Sequence, residues 1–185
     1  MAEPKILPIE FLRECFSYDP DTGAFRWKHR PSHHFQTEEH ADNWNRQYAG
    51  TAAFATCDEG GYCRAEVRVE GQRYRLTAGR VAYALVHGEQ PRIVDHRGLD
   101  KSNNRIDNLR AATQPQNVWN RPQPKRGAAP LKGAYLDRGR WTSRASVGGR
   151  KVYLGQFDTP EAAHAAYCAF LAPIRGEFFH SGALT

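Results

Sequence analysis

The sequence predicts an α+β protein in two parts, and three observations carry this. Strand-like runs are short and closed by tight turns, as at Glu70-Gly71 and Gly148-Gly149, which favours antiparallel hairpins over long crossover units. Helical periodicity is confined to brief stretches between them. Residues 122–130 hold three prolines, one glycine and two alanines, the composition of a linker. The 185 residues suffice for one ordinary core or two small ones. A composition that is 40% hydrophobic and 25% charged excludes a disordered tail. The net charge of +6 favours polyanionic partners.

Taken in order, residues 8–16 form a short helix with Ile9, Leu12, Arg13 and Phe16 at helical spacing. Asp19-Pro20-Asp21-Thr22-Gly23 is a turn, and residues 24–28 are a strand. Residues 29–48 read as polar and irregular. A hairpin follows, with strands at 62–69 and 72–76. Residues 77–86 form a helix stopped by Gly88 and Pro91. Strands at 92–96 and 109–113 lead into a helix beginning at Thr113 or Gln114, with Pro115 in its first turn and Asn117 on its body; Pro122 breaks it.

Beyond the linker, residues 141–147 alternate and residues 150–154 return from a two-residue turn. Ala145 then faces Val152, and Ser143 faces Leu154. Trp141 and Val147 lie on a core face, while Thr142, Arg144, Ser146, Lys151 and Tyr153 lie on the other. Thr159 caps a helix to about residue 171, with Ala163, Ala166, Tyr167, Phe170 and Leu171 as its apolar stripe. The expected domains are an N-terminal helix and strand extension (1–50), a catalytic domain (51–121), a linker (122–131) and a small three-stranded sheet with one helix (132–180).

Cys15, Cys57, Cys63 and Cys168 form no C-x-x-C pair, so a zinc-stabilised interaction module is not expected and buried free thiols are. The N-terminus has no signal-like apolar run, and nothing approaches the ~20 apolar residues of a membrane span. These features lead us to expect a cytoplasmic protein.

The chemistry concentrates in Asp95-His96, then Asn108, then Asn117. On a strand, Asp95 and His96 point to opposite faces, which suggests divided roles. A carboxylate suits a hard divalent ion, so Asp95 is the metal ligand. An imidazole with an ordinary pKa near 6.5 is mostly neutral at pH 7, so His96 is the base. Arg121 lies one helical turn beyond Asn117 and can clamp a phosphate. Asn120 is close by but has no assignable role.

Residues 92–121, with Asp95-His96, Asp100, Asn103-Asn104-Arg105, Asn108-Leu109-Arg110 and Gln116-Asn117, resemble the HNH endonucleases of phage and homing type, in the variant ending in asparagine. The resemblance implies a ββα-metal fold. It also implies one ion, Mg²⁺ or Mn²⁺, held by Asp95 and Asn117, with His96 deprotonating the attacking water. Asn108 would brace the loop and orient His96 through backbone contacts.

The C-terminal part carries Lys125, Arg126, Lys132, Arg138, Arg140, Arg144, Arg150 and Lys151 against Asp137 alone between residues 122 and 156. Such clustering is an electrostatic footprint for DNA. Gly133-Ala134-Tyr135, Gly139-Arg140-Trp141, the run from Val152 through Thr159 and that from Glu161 through Tyr167 resemble the APETALA-type (ethylene-response-factor-like) DNA-binding domain. The resemblance implies three strands packed on one helix, with the sheet in the major groove. Lys132, Tyr135, Arg138, Arg140, Arg144, Ser146, Lys151 and Tyr153 would lie at the DNA. Arg144 replaces a usual acidic residue and Tyr153 a tryptophan.

Elsewhere, His33, His34 and His40 lack metal-ligand spacing and read as surface residues. Trp44 and Asn45 are candidate DNA contacts, with Trp44 better suited to packing. Asp19, Asp21 and Gly23 lack the later ligands of a calcium loop. The whole reads as a metal-dependent endonuclease for double-stranded DNA, with no obligate protein partner. The competing reading is a DNA-binding regulator with an inert HNH site.

Overall fold

The computed structural model describes residues 7–121 and 131–182. The expected linker therefore lies almost wholly outside the described residues, as do Lys125 and Arg126. Mixed helix and short strands make the protein α+β. The chain divides into two units, Met1–Thr113 and Gln114–Thr185. No described helix is long and apolar enough to cross a membrane.

In the first unit, α1 (Ile9–Cys15) leads directly into β1 (Phe16–Tyr18). β1 pairs antiparallel with β2 (Phe25–Trp27) through the expected turn. Residues 29–48 are less irregular than their polarity suggests, because α2 spans Glu38–Tyr48. The Thr37 side chain caps it by accepting from His40 N–H, and Glu38 and Glu39 occupy its first turn. These are legible start signals, but α2 buries only Ala41 and Asn45, so no apolar stripe announces it. β3 (Ala52–Ala53) adds to the first sheet.

β4 (Thr56–Cys57), β5 (Cys63–Val69) and β6 (Gln72–Thr77) form the second sheet. The β5–β6 register runs from Arg64↔Thr77 to Val69↔Gln72, as the hairpin reading requires. β4 sets Cys57 directly opposite Cys63, and the two form a disulfide. The expectation of free thiols is corrected for this pair and holds for Cys15 and Cys168. The strand β4 is only two residues long, too short to be read from the sequence, and without it nothing brings the two thiols together.

α3 (Ala78–His87) follows and ends on Gly88 in the left-handed conformation. β7 (Val94–His96) and β8 (Leu109–Ala111) form a two-stranded ladder. One core joins these pieces: Leu12, Phe16, Phe25 and Phe54 share a cluster with Val67, Ala78, Val81 and Leu109. It runs through position 50, so residues upstream of the motif are built into the body that carries it.

The second unit begins with α4 (Gln114–Trp119). β9 (Ala134–Asp137), β10 (Arg140–Val147) and β11 (Arg150–Phe157) form an antiparallel sheet in the order β11-β10-β9. α5 (Pro160–Arg175) packs against all three strands. Thr159 caps α5 by accepting from Ala162 N–H. The helix passes its expected end and carries Pro173 in its last turn. Ala145 faces Val152 and Arg144 faces Tyr153, as expected. Ser143 faces Gly155 rather than Leu154, because the register shifts between Ser143 and Arg144.

Candidate active site

The β7–β8 ladder gives Asp95 and His96 opposite sides, and each has a different environment. Asp95 lies across from Arg110 in the register. Arg110 donates from Nε at 2.9 Å and from Nη2 at 2.7 Å, both to Oδ2 of Asp95. Both side chains are about 95% buried, being 5% and 6% exposed. Removing either partner of such a pair costs about 3–5 kcal/mol, because it strands a buried charge. Arg110 has no role legible in the motif alone; its signal is the register that sets Asp95 opposite it.

His96 lies across from Leu109 and is also buried. Its Nε2 is 3.3 Å from Asn104 Oδ1. The Asn104 amide donates from Nδ2 to Ser102 O at 2.9 Å, so Oδ1 is the atom turned to the imidazole. An acceptor at Nε2 places the ring proton there and leaves the lone pair on Nδ1. Asn104, part of the Asn103-Asn104-Arg105 stretch of the motif, is the residue hydrogen-bonded to His96. Gly79 lets α3 approach the ring: a Cβ there would sit 3.2 Å from Cε1 and Nε2 of His96. The Tyr62 ring stands edge-on 6.0 Å away.

Burial holds the His96 imidazole below the ordinary histidine range; the Asn104 hydrogen bond and the carboxylates of Asp95 and Asp100 oppose this. The net direction keeps the ring neutral, the state a proton acceptor needs.

Asn108 holds the loop between the strands. Its Oδ1 accepts from Gly98 N–H at 2.8 Å. Its Nδ2 donates to Asn103 O at 2.7 Å and to Asp100 O at 3.4 Å. Its own carbonyl accepts from Arg97 N–H at 2.8 Å. The carboxamide thereby spans the loop, and the main-chain carbonyl anchors the residue following His96.

Asp95, His96, Asn104 and Asn108 are thus assembled within the first unit. Asn117 lies on α4 and Arg121 is exposed just past it, both in the second unit. Asn120, whose role the sequence left open, is buried. Taken singly, the Asp95 carboxylate offers oxygens that suit a hard divalent ion. Such an ion would share the Asp95 carboxylate with Arg110 or displace the guanidinium from Oδ2.

One other group among the described residues could surround an ion: Glu14, His33 and His34. Two of the expected surface histidines are therefore part of a cluster, and His34 is buried. A hydrogen-bonded relay accounts for it. Arg30 donates from Nε to His34 Nδ1 at 3.3 Å, so His34 Nε2 carries the proton that Glu14 Oε2 accepts at 2.7 Å. An ion on Nε2 would need that proton on Nδ1, facing a guanidinium donor. Burial lowers the His34 pKa, which agrees with a neutral ring. The relay links the buried Arg30 cation to Glu14. Asn45, a candidate DNA contact, is buried and instead pairs with both the N–H and the C=O of Arg30. Trp44 packs edge-on against Trp27 at 5.1 Å.

On the second unit's sheet, Tyr135, Arg138, Arg140, Arg144, Ser146, Lys151 and Tyr153 are exposed. Arg140 pairs with Asp158 at 3.0 Å and Arg144 with Asp137 at 3.5 Å. Exposed pairs of this kind are worth about 0–1 kcal/mol, so a phosphate can replace the carboxylate. Lys132 differs from the rest. Its Nζ donates inward to Trp119 O at 3.3 Å and to His180 O at 2.9 Å, and burial pushes its pKa down to about 8.

Along the chain β7, β8 and α4 follow in strand–strand–helix order, and β7 carries a buried imidazole next to a buried carboxylate. Residues 77–118 match the family profile described as HNH endonuclease, which supports a nuclease of that class. The match begins at the residue before α3 and ends within α4, and it contains Asp95, His96, Asn104, Asn108, Arg110 and Asn117. No curated protein and no solved structure matches the chain.

Because its folded pKa is depressed, His96 is neutral in the fold at pH values where it protonates in the unfolded chain. Its contribution to stability is complete above the ordinary value and is lost as pH falls through the window below it. NMR titration of the apo protein is expected to give His96 a midpoint below about 6.5. A midpoint at or above that value contradicts the burial argument.

Proposed function

We propose that the protein is a metal-dependent endonuclease of double-stranded DNA, with cleavage centred on His96 and affinity supplied by the C-terminal sheet. The observation that carries this is His96, buried, neutral and hydrogen-bonded at Nε2 to Asn104, within the segment that matches the HNH profile.

His96 Nδ1 takes a proton from water as the water oxygen attacks phosphorus and the bond to the 3′ oxygen breaks. The Asn104 carboxamide favours the other ring proton at Nε2. The carboxylates of Asp95 and Asp100 favour the imidazolium that results. Asn108 keeps the loop closed while this happens. Asp95 and Asn117 would hold Mg²⁺ or Mn²⁺, which supplies charge neutralisation at the phosphate and the departing oxygen. Arg121 is suited to a flanking phosphate.

The C-terminal sheet supports the DNA half of the reading by its exposed Arg138, Arg140, Arg144, Ser146 and Lys151 and by the exposed rings of Tyr135 and Tyr153. This is the combination expected of an APETALA-type surface, cations for phosphate and base edges with aromatic rings between them. Lys132 is left out of this surface because its ammonium is turned inward.

A second reading, a DNA-binding regulator with an inert site, is favoured by one observation: Arg110 already holds Oδ2 of Asp95. Supercoiled plasmid with Mg²⁺ or Mn²⁺ separates the two. Wild type is expected to cut, and His96→Ala to lose roughly 10²–10⁴-fold in rate while still binding DNA. If wild type binds but leaves the plasmid intact with either ion, the regulator is the correct reading.

Asp95→Asn divides the ligand role from the ion-pair role. As a ligand change it raises the ion concentration needed for half-maximal cutting by roughly tenfold or more. As an ion-pair change alone it lowers the melting temperature and leaves the ion requirement where it was.

For the sheet, Arg138→Ala with Lys151→Ala is expected to weaken duplex binding and to flatten the plot of log affinity against log salt by roughly two units. An unchanged salt slope would remove these two side chains from the proposed DNA surface.

A further inference from the structure

The turn between β1 and β2 abuts the loop that carries Asn104, although it precedes the matched segment by more than fifty residues. Tyr18 Oη donates to the main-chain oxygen of Asn104 at 2.7 Å. Ile106 N–H donates to Pro20 O at 3.1 Å. Gly23 packs directly on the same backbone. Its φ is +75°, and a Cβ there would lie 2.7 Å from Arg105 N and 2.8 Å from Asn104 C, closer than any such contact can be.

The turn is itself rigid. Asp19 accepts from Asp21 N–H at 3.0 Å and from the Thr22 hydroxyl at 2.7 Å, and its carbonyl accepts from Gly23 N–H at 2.8 Å. A stiff turn, a half-buried phenol and a glycine contact therefore fix the peptide whose side chain reaches His96 Nε2.

We propose that Tyr18 and Gly23 are positioning residues for His96, acting through the main chain of Asn104 to keep its carboxamide on Nε2. The N-terminal hairpin is then part of the machinery that sets the base. Tyr18 is suited to this because it remains a donor: burial and the carboxylates of Asp19, Asp107 and Asp21 push its pKa up to about 12. The cleavage consequence rests on the nuclease reading; the effect on the His96 ring does not.

The test uses the full chain, labelled with ¹⁵N and free of DNA and metal. In wild type the His96 ring is expected to give the nitrogen shifts of a single Nε2–H form, with the Nε2–H proton visible because it is hydrogen-bonded. Tyr18→Phe and, separately, Gly23→Ala are expected to move those shifts toward averaged values and to weaken the Nε2–H signal by exchange. Asn104→Ala should do the same, and adding Tyr18→Phe to it should change nothing further. Ser17→Ala, on the exposed side of the same strand, serves as the control.

In the plasmid assay Tyr18→Phe is expected to lower kcat roughly tenfold with KM little changed. Wild-type ring shifts in a folded Tyr18→Phe or Gly23→Ala protein overturn the proposal. If one variant fails to fold, the other decides. A wild type that does not cut DNA overturns the nuclease reading and leaves the ring measurement to judge the positioning role.

Discussion

The site depends on closing a long loop between two very short strands. β7 and β8 have three residues each, too few for their ladder to impose geometry on twelve intervening residues. Asn108 supplies what the ladder lacks. Its side chain reaches Gly98, Asp100 and Asn103, and its carbonyl reaches Arg97. Net hydrogen-bond contributions are individually modest, about 1 kcal/mol. Their importance lies in being made by one buried group, so the loop cannot shift at one end without breaking contacts at the other. A hydrocarbon side chain of the same size would leave these backbone groups unpaired in a buried site.

The period of the strand then explains how two adjacent residues can do different work. Asp95 turns to Arg110 and His96 turns to Asn104, so the charge of the first pair and the proton bookkeeping of the second are held on separate sides. Asp95 still acts on His96 through space by favouring the protonated ring, whereas burial acts more strongly in the other direction. The result is a ring that is neutral at rest and that has nearby carboxylates to steady the proton once taken up. In the proposed nuclease the same Asp95 would have to satisfy Arg110 and offer oxygen to an ion. These demands would compete, and competition of that kind makes ion affinity depend on what else arrives with the ion, including phosphate.

Much of this was legible in the sequence, and the exceptions have physical causes. The opposite faces of Asp95 and His96 followed from strand period alone, and the 62–76 hairpin and the Thr159 cap from turn and cap chemistry. Arg110 and Asn104 were visible as letters but had no roles, because their partners are set by register and by loop closure. α2 was missed because a helix that buries so little has no apolar stripe, even though Thr37 and its two glutamates marked the start. The disulfide was missed because a strand of two residues has no period to detect. His33 is the exposed residue it looked like, whereas the burial of His34 was missed because its relay reaches Glu14, twenty residues away in sequence. The expected alternation holds from Arg144 to Ser146, but Thr142, expected on the outer face, is buried beside Ser143, next to a one-residue shift that no pattern in the sequence marks.

The core shared by α1, β1, β2, α3 and β8 gives a reason for the upstream segment beyond added bulk. A motif of two three-residue strands and a loop buries too little apolar surface to stand alone. Embedding it in a larger core fixes β8 through Leu109, and the same body presents the β1–β2 turn to the loop from outside. The loop is thus held from within by Asn108 and from without by Tyr18 and Pro20, with Asn104 between them and His96 at the end of the chain of contacts. In the proposed nuclease, such an arrangement separates the task of shaping the base from that of holding DNA. The first would be carried by buried neutral hydrogen bonds, which salt does not screen. The second would fall to exposed cations whose present partners are weak enough to give way to phosphate.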